Sequence, residues 1–362
     1  MKSHSIAIDA RMVNASGIGT YLQGLLLGLS KKDLTGYALT LFGNPPDLPQ
    51  GPWNVRKVSA PIYSIREQLL IPSATIRQGC ELFHAPHYNI SWMIRSRTVV
   101  TVHDVIHLKF PQYWPSPVAR AYAHIFFTHI IPKARAILTV SENTKRDLIE
   151  ILGIPADRIT VTYPAVDHAR FQNIDPSLQS EFNQLGLSRD YLLYIGNLKE
   201  FKNVERLVDA YCLIRSKDKN IPELVMVGRN FIKGFEKRLE NTPGIRWIGE
   251  VRRDLLPAFY KNALLFIFPS LYEGFGLPPL EAMASGTPVL CSSRASLPEV
   301  VGNAAVMIDP ENTEALAAAM SALMHDPQKR KDLSAKGLQQ AAQFSWDRMA
   351  DQTLQVYQRC LS

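Results

Sequence analysis

The stretch Phe268-Pro269-Ser270-Leu271-Tyr272-Glu273-Gly274-Phe275-Gly276-Leu277-Pro278-Pro279-Leu280-Glu281-Ala282-Met283-Ala284-Ser285-Gly286-Thr287-Pro288-Val289 decides how the rest of the chain is read. The apolar run ending at Phe268 is a buried strand, Glu273 to Gly276 is a loop with two glycines, and Pro278 or Pro279 suits the first turn of a helix. Strand, glycine loop and helix in that order put backbone amides and the positive end of a helix dipole at the strand's carboxyl end. Open α/β sheets bind ligands at that edge, so the segment predicts an anion site. Glu273 on the loop and Glu281 early in the helix are separated by seven residues. Two carboxylates at opposite ends of such a site can bind the hydroxyls of a sugar and of a ribose. Without the glycines and prolines around them, the same glutamates would read as a solvated pair or a helix cap.

Outward from this segment the strand-then-helix rhythm recurs, which means parallel sheet. Toward the N-terminus the strand runs are Ile6 to Ile8, Leu39 to Phe42, Val99 to Val102 and Ala136 to Val140; the second half carries Tyr191 to Ile195, Leu224 to Val227, Ile245 to Ile248, Leu264 to Phe268, Val289 to Cys291 and Ala305 to Ile308. The segment from Pro164 to Arg189 breaks the rhythm and reads as a connection. At 362 residues the chain exceeds one ordinary core and suits two domains of roughly 150 to 200 residues. The expected fold class is α/β, with two Rossmann-like doubly wound domains facing a cleft. Residues 1–168 form the first, 169–344 the second, and 345–362 a last helix packing back on the first.

Composition narrows the function. Apolar residues at 46% and charged residues at 20% are ordinary for a soluble globular protein and exclude disorder. No apolar run approaches the roughly 20 residues that cross a bilayer. Met1 runs into Ile6-Ala7-Ile8 with no apolar leader, so a cytoplasmic protein is expected. Cys80, Cys212, Cys291 and Cys360 form no C-x-x-C pair, against a zinc site or disulfide framework. The formal charge of +7 favours anionic partners. No basic run with interleaved aromatics stands out, so nucleic acid is not expected among them.

Further motifs sit at strand ends: Ala10-Arg11 and Gly17-Ile18-Gly19-Thr20-Tyr21, Val102-His103-Asp104, Gly196-Asn197-Leu198-Lys199-Glu200-Phe201-Lys202-Asn203, and Ser296-Leu297-Pro298-Glu299-Val300-Val301-Gly302. Gly17 and Gly19 allow close backbone approach to a ligand, or simply a tight turn before a helix beginning near Thr20. His103 can hydrogen-bond a sugar hydroxyl, although a lone histidine is more often structural. Lys202 places a charge beside the first strand of the second domain; as a bland alternative it is an exposed lysine at a helix start.

With the Glu273-to-Glu281 segment, these ordered motifs make the chain resemble glycosyltransferase family 4 over nearly its whole length, most closely bacterial mannosyltransferases of O-antigen and related polysaccharide assembly. The resemblance implies the GT-B fold, a nucleotide diphosphate sugar donor, no cofactor, no bound metal ion and retention of anomeric configuration. It assigns His103, Glu273 and Lys202 to catalysis. It assigns Gly17, Gly19, Asn197, Lys202, Val251, Glu273, Gly274, Phe275, Gly276, Leu277 and Glu281 to the donor. The family often has an arginine where this chain has Asn197, leaving Lys199 or Arg229 to supply a second charge. Asp104 orients the His103 ring or meets the acceptor. The donor expected is GDP-mannose and the acceptor a glycan, carried on polyprenyl diphosphate in the enzymes resembled. UDP-glucose, UDP-GlcNAc and dTDP- or GDP-linked deoxysugars stay open, as do a GT-B sugar-nucleotide 2-epimerase and a non-catalytic nucleotide-sugar-binding subunit. Positive charge without a spanning segment predicts peripheral attachment to an anionic membrane surface, with Tyr88 to Arg97 and Phe110 to Trp114 as the expected interfacial stretches. Both stretches can equally be loops covering the domain's own core.

Overall fold

The computed structural model describes residues 3–44, 47–113, 116–187 and 189–362. The chain divides into two compact units, Met1–Ala165 with Ser345–Ser362, and Val166–Phe344. In the first, β1 (His4–Asp9), β2 (Tyr37–Gly43), β3 (Asn54–Lys57), β4 (Leu82–Ala85), β5 (Arg97–Val102), β6 (Ala136–Thr139) and β7 (Ile159–Val161) form one sheet in the order β3-β2-β1-β4-β5-β6-β7. Every neighbouring pair is parallel. Parallel neighbours require crossovers, here mostly helical, so the central strands are covered and run apolar: Ile6, Ile8, Val99, Val100 and Ile137 are wholly buried.

The second unit repeats the plan. Its strands are β8 (Tyr191–Ile195), β9 (Leu224–Val227), β10 (Ile245–Gly249), β11 (Ala263–Phe268), β12 (Val289–Ser292) and β13 (Ala305–Ile308), in the order β10-β9-β8-β11-β12-β13 and again all parallel. These six strands are the six apolar runs of the second half. The segment 164–189, which reads as a connection, holds two helices, His168–Gln172 and Pro176–Gln184, capped by Asp167 and Asp175 and anchored by buried Phe171 and Phe182. In both sheets the strand order reverses once, at β1/β4 and at β8/β11, and the crevice at such a reversal is where an open sheet binds its ligand.

The last helix, Trp346–Leu361, belongs to the first unit. It lies so close to the helix Ser16–Ser30 that a Cβ on Gly24 would stand 2.3 Å from the Trp346 ring, and one on Gly28 2.4 Å from the Trp346 carbonyl. Its Tyr357 hydroxyl meets Nδ1 of the buried His84 at 2.6 Å, whose Nε2 meets the Thr101 hydroxyl at 2.9 Å. Thr101 in turn bonds the Tyr21 hydroxyl at 3.1 Å, so a buried polar chain joins the last helix, β4, β5 and the first helix.

Burial holds both His84 and His87 down to about 3, helped by the neighbouring His103 charge. In the unfolded chain such rings take up a proton near pH 6.5, and in the fold they do not until about pH 3. The stability tied to their neutral form is therefore complete above the first value and is lost as pH falls between the two. Each ring should remove about 1.4 kcal/mol per pH unit over that window. Urea unfolding followed from about pH 7 to about pH 5 should show this loss, and a shallower slope for His84→Gln.

Candidate active site

In the second unit the loops after β8 and β11 flank the sheet's reversal. Asn203, at φ +59°, turns the chain between the short Glu200–Lys202 helical turn and the helix Val204–Lys217. Its side-chain amide donates to the Pro269 carbonyl at 3.1 Å and the Pro310 carbonyl at 2.6 Å. The Leu271 N–H donates to the Phe201 carbonyl at 2.9 Å, stitching the two loops together. Across that seam Lys202 Nζ reaches both oxygens of Glu273, at 2.6 and 2.7 Å, with side-chain exposures of 18 and 11%. The ammonium also lies 5.3 and 5.5 Å from the Phe201 and Phe268 ring centres, favourable for a cation over an aromatic face.

The loop after β11 is shaped by its glycines and by a distant serine. Gly276, at φ +124°, is where the chain enters the helix Leu277–Ala284, and a Cβ there would strike Leu297 at 2.8 Å. The Ser296 hydroxyl spans the Glu273 and Phe275 carbonyls at 2.9 and 2.5 Å, fixing the carboxylate's backbone. Phe275 is buried edge-on against Phe344. Because Pro278 and Pro279 have no N–H, the donors at the helix start come down to the amides of Gly276 and Leu277. Ser296 belongs to a motif visible in sequence, yet its clamp is a through-space contact that spacing does not reveal.

Glu281 sits on the same helix, buried, and accepts from the Tyr260 hydroxyl at 2.8 Å. Burial raises its pKa, against the Tyr260 hydrogen bond and the charges of Arg253 and Arg170. Neither arginine nor the tyrosine figured in the sequence reading, because they approach Glu281 from separate elements. Lys199 and Arg229 bracket one exposed ring, Phe231, at 5.0 and 5.3 Å from its centre, where paired loops continue β8 and β9. Asn197 offers its carbonyl to the Tyr194 hydroxyl at 3.3 Å. Val251 follows β10, two strands from β8 in the sheet. The structure thus brings Lys202 onto Glu273 and sets Gly274 to Leu277 beside them.

In the first unit the reversal lies between β1 and β4. The helix after β1 starts at Ser16, so Gly17 and Gly19 lie in its first turn, correcting a start near Thr20. A Cβ on Gly19 would meet the Val13 carbonyl at 2.5 Å, whereas one on Gly17 meets nothing within 4 Å, so Gly17 leaves open space. His103 follows β5 and donates from Nε2 to the Pro86 carbonyl at 2.8 Å, which leaves Nδ1 as the lone-pair side. Its ring stands edge-on to Tyr21 at 4.8 Å, and burial lowers its pKa. Asp104 accepts from the Ile106 N–H at 3.0 Å, just ahead of the short helix Ile106–Lys109. Arg11 at the end of β1 is clasped by Asp9 at 2.6 Å and Glu67 at 3.2 Å, and Asn89 donates to Glu67 at 2.6 Å. Among the described residues no three His, Cys, Asp or Glu side chains converge as metal ligands, and all four cysteines are free.

Two Rossmann-like sheets, one of them carrying a charged pair and a glycine loop at its reversal, define the architecture of a GT-B glycosyltransferase. Comparison with known proteins gives the same class: residues 178–340 match the glycosyl transferases group 1 and residues 15–170 match glycosyltransferase family 4. The O-antigen chain mannosyltransferase B of Escherichia coli is 34% identical over 285 residues, 76% of this chain and 74% of that one. Serotype-specific mannosyltransferase WbdA, also of Escherichia coli, is 31% identical over 76% of this chain, which spans 34% of its length. Sucrose-phosphate synthase from Thermosynechococcus elongatus superposes with a TM-score of 0.79 at 20% identity, over 98% of both chains. The chain belongs to glycosyltransferase family 4 and is a glycosyltransferase.

Truncating Lys202 leaves the mostly buried Glu273 carboxylate without its cation. Lys202→Met should destabilise the second unit by about 3 kcal/mol, and adding Glu273→Gln should restore part of that loss in urea titrations. Glu281 has the opposite sign. Its raised pKa means that the ionised carboxylate opposes folding at neutral pH and that this opposition fades as pH falls through the raised value. Glu281→Gln should therefore melt no lower than wild type at neutral pH, with any advantage vanishing in acid.

Proposed function

We propose that the enzyme is a hexosyltransferase that moves mannose from GDP-mannose, with retention of configuration, to a sugar hydroxyl of a lipid-linked glycan in O-antigen or related polysaccharide assembly. The observation that carries this reading is the Lys202–Glu273 pair at the second sheet's reversal, in a chain whose relatives are named O-antigen mannosyltransferases. Breaking the anomeric C–O bond sends its electrons to the departing diphosphate and leaves positive charge on the sugar. Lys202 has N–H donors to share between Glu273 and a phosphate oxygen, and the Gly276 and Leu277 amides add fixed dipoles. These protein groups neutralise the leaving group in a reaction that uses no metal ion. With the acceptor attacking from the face the nucleotide leaves, the donor phosphate takes its proton and no separate base is needed. Glu273 then binds the transferred sugar, Glu281 the ribose, and His103 a sugar hydroxyl through Nδ1. The enzyme works on the cytoplasmic side, held at the membrane peripherally; no described helix is long and apolar enough to cross it.

A donor screen over common nucleotide sugars, with a mannoside acceptor, tests the reading. GDP-mannose should be turned over fastest and activity should persist in EDTA. A preference for a UDP- or dTDP-linked sugar would reassign the donor, and conversion of donor without acceptor would make the enzyme an epimerase. Glu273→Ala should lower kcat by roughly 100-fold or more, whereas Glu281→Ala should mainly raise the donor KM.

A further inference from the structure

The helix Ile65–Arg77 is inside out. Its buried positions are Glu67, Gln68, Ile71, Pro72 and Thr75, whereas Ile65, Leu69, Leu70 and Ile76 stand 85, 57, 42 and 60% exposed. Folding normally arranges the reverse, and large apolar side chains gathered on one open face mark an interaction surface. The polar face is held inward by specific partners. Glu67 takes Arg11 and Asn89. Pro72 has no N–H, so the Gln68 carbonyl loses its helical donor, and the Ser91 hydroxyl takes that place at 3.0 Å. The Trp92 N–H meets the Gln68 side chain at 3.4 Å, which anchors the loop beside the helix. At that point Trp92 and Met93 extend the apolar face, 62 and 48% exposed.

The exposed charges on this helix and on the loop beside it have one sign. Arg66 and Arg77 are exposed on the helix and Arg95 follows the loop, while Glu67, the helix's one acidic residue, is buried. Between Leu82 and Ser141 the single acidic residue is Asp104, and its carboxylate accepts from the Ile106 N–H.

We infer that the outer face of the helix Ile65–Arg77, with Trp92 and Met93, seats on an anionic lipid bilayer. The inference deepens the peripheral attachment proposed above, on which it rests, and centres the contact on a helix that the sequence reading does not include, keeping Trp92, Met93 and Arg95 of its expected stretch. Within the expected stretch Tyr88 to Arg97, Tyr88 and Ile90 are core residues and Arg97 donates to the Leu361 carbonyl at 2.5 Å. In the other expected stretch Phe110 packs on Tyr113, and Trp114 lies outside the described residues. Leucine, isoleucine and tryptophan can enter the acyl boundary while arginines stay among the headgroups. A second copy of the chain is the poorer occupant, because like-charged faces on a protein of net charge +7 repel.

The test uses the full chain with vesicles of phosphatidylcholine, alone or mixed with phosphatidylglycerol. Wild type should sediment with the mixed vesicles, less so in high salt, and its tryptophan emission should shift to the blue; Trp92→Phe should lose most of that shift. The double variant Leu69→Ser/Leu70→Ser should bind at least about tenfold more weakly. Its melting temperature and its transfer to a soluble acceptor analogue should stay unchanged, since the altered side chains face solvent. Vesicle binding equal to wild type in that variant would overturn the inference. So would a wild-type dimer that the variant breaks with no vesicle binding in either, which would assign the face to a second copy. Vesicle binding that depends on Leu69 and Leu70 while no nucleotide sugar is turned over would uphold the surface and overturn the functional reading instead.

Discussion

The ion pair between Lys202 and Glu273 is the constraint around which the second unit is arranged. A charged pair with less than a fifth of each side chain exposed is tolerable only if its geometry is fixed. Fixing it takes contributions from several parts of the unit. Asn203 binds the Pro269 and Pro310 carbonyls, Ser296 holds the backbone under Glu273, and the Leu271 amide closes the seam to Phe201. Each contact links a loop at the carboxyl edge of the sheet to another, so the rigidity that the pair requires is shared by the loops around it. In the proposed reaction a diphosphate arriving there would meet a lysine already aimed and partly desolvated, with little ordering left to do at binding.

The sheet supplies the rest of that preorganisation. Strand order reverses between β8 and β11, and the loops that follow these two strands meet across that reversal. Gly228 shows how closely the neighbouring chain approaches: a Cβ there would lie 2.0 Å from the Gly196 carbonyl. That packing aligns the segments after β8 and β9 and places Lys199 and Arg229 on either side of Phe231.

How much of this was legible in the sequence follows from the range of the forces involved. The six strands of the second unit are continuous apolar runs because they are buried on both faces, and such runs announce themselves. In the first unit β3 (Asn54–Lys57) is polar and wholly exposed at the sheet edge, β7 has three residues, and β4 carries His84 in the core. No local pattern marks them; their pairing partners do. Lys202 and Glu273 were legible as motif residues because their loops are punctuated by glycine and proline. The Ser296 clamp and the Tyr260, Arg253 and Arg170 surroundings of Glu281 were not, since each is a contact between elements far apart in the chain.

The helix Ile65–Arg77 takes the same point further, because its local pattern misleads. Ile65, Leu69 and Ile76 recur at helical spacing, and periodicity alone would turn them toward a core. What turns them outward is the cost of leaving Arg11 unpaired. Its guanidinium lies at the end of β1 with 6% of its side chain exposed and needs carboxylates on more than one side. Asp9 supplies one and Glu67 the other, and Asn89 satisfies the remaining Glu67 oxygen. Once Glu67 must face inward, Gln68, Ile71 and Thr75 go with it by helical geometry, and the leucine face has only the outside left. An electrostatic demand beside one sheet reversal is thereby met at the expense of an apolar surface on the exterior, and a lipid surface would relieve that exposure. The same residues that shape the polar interior of the first unit thus determine which face of the helix is left outside.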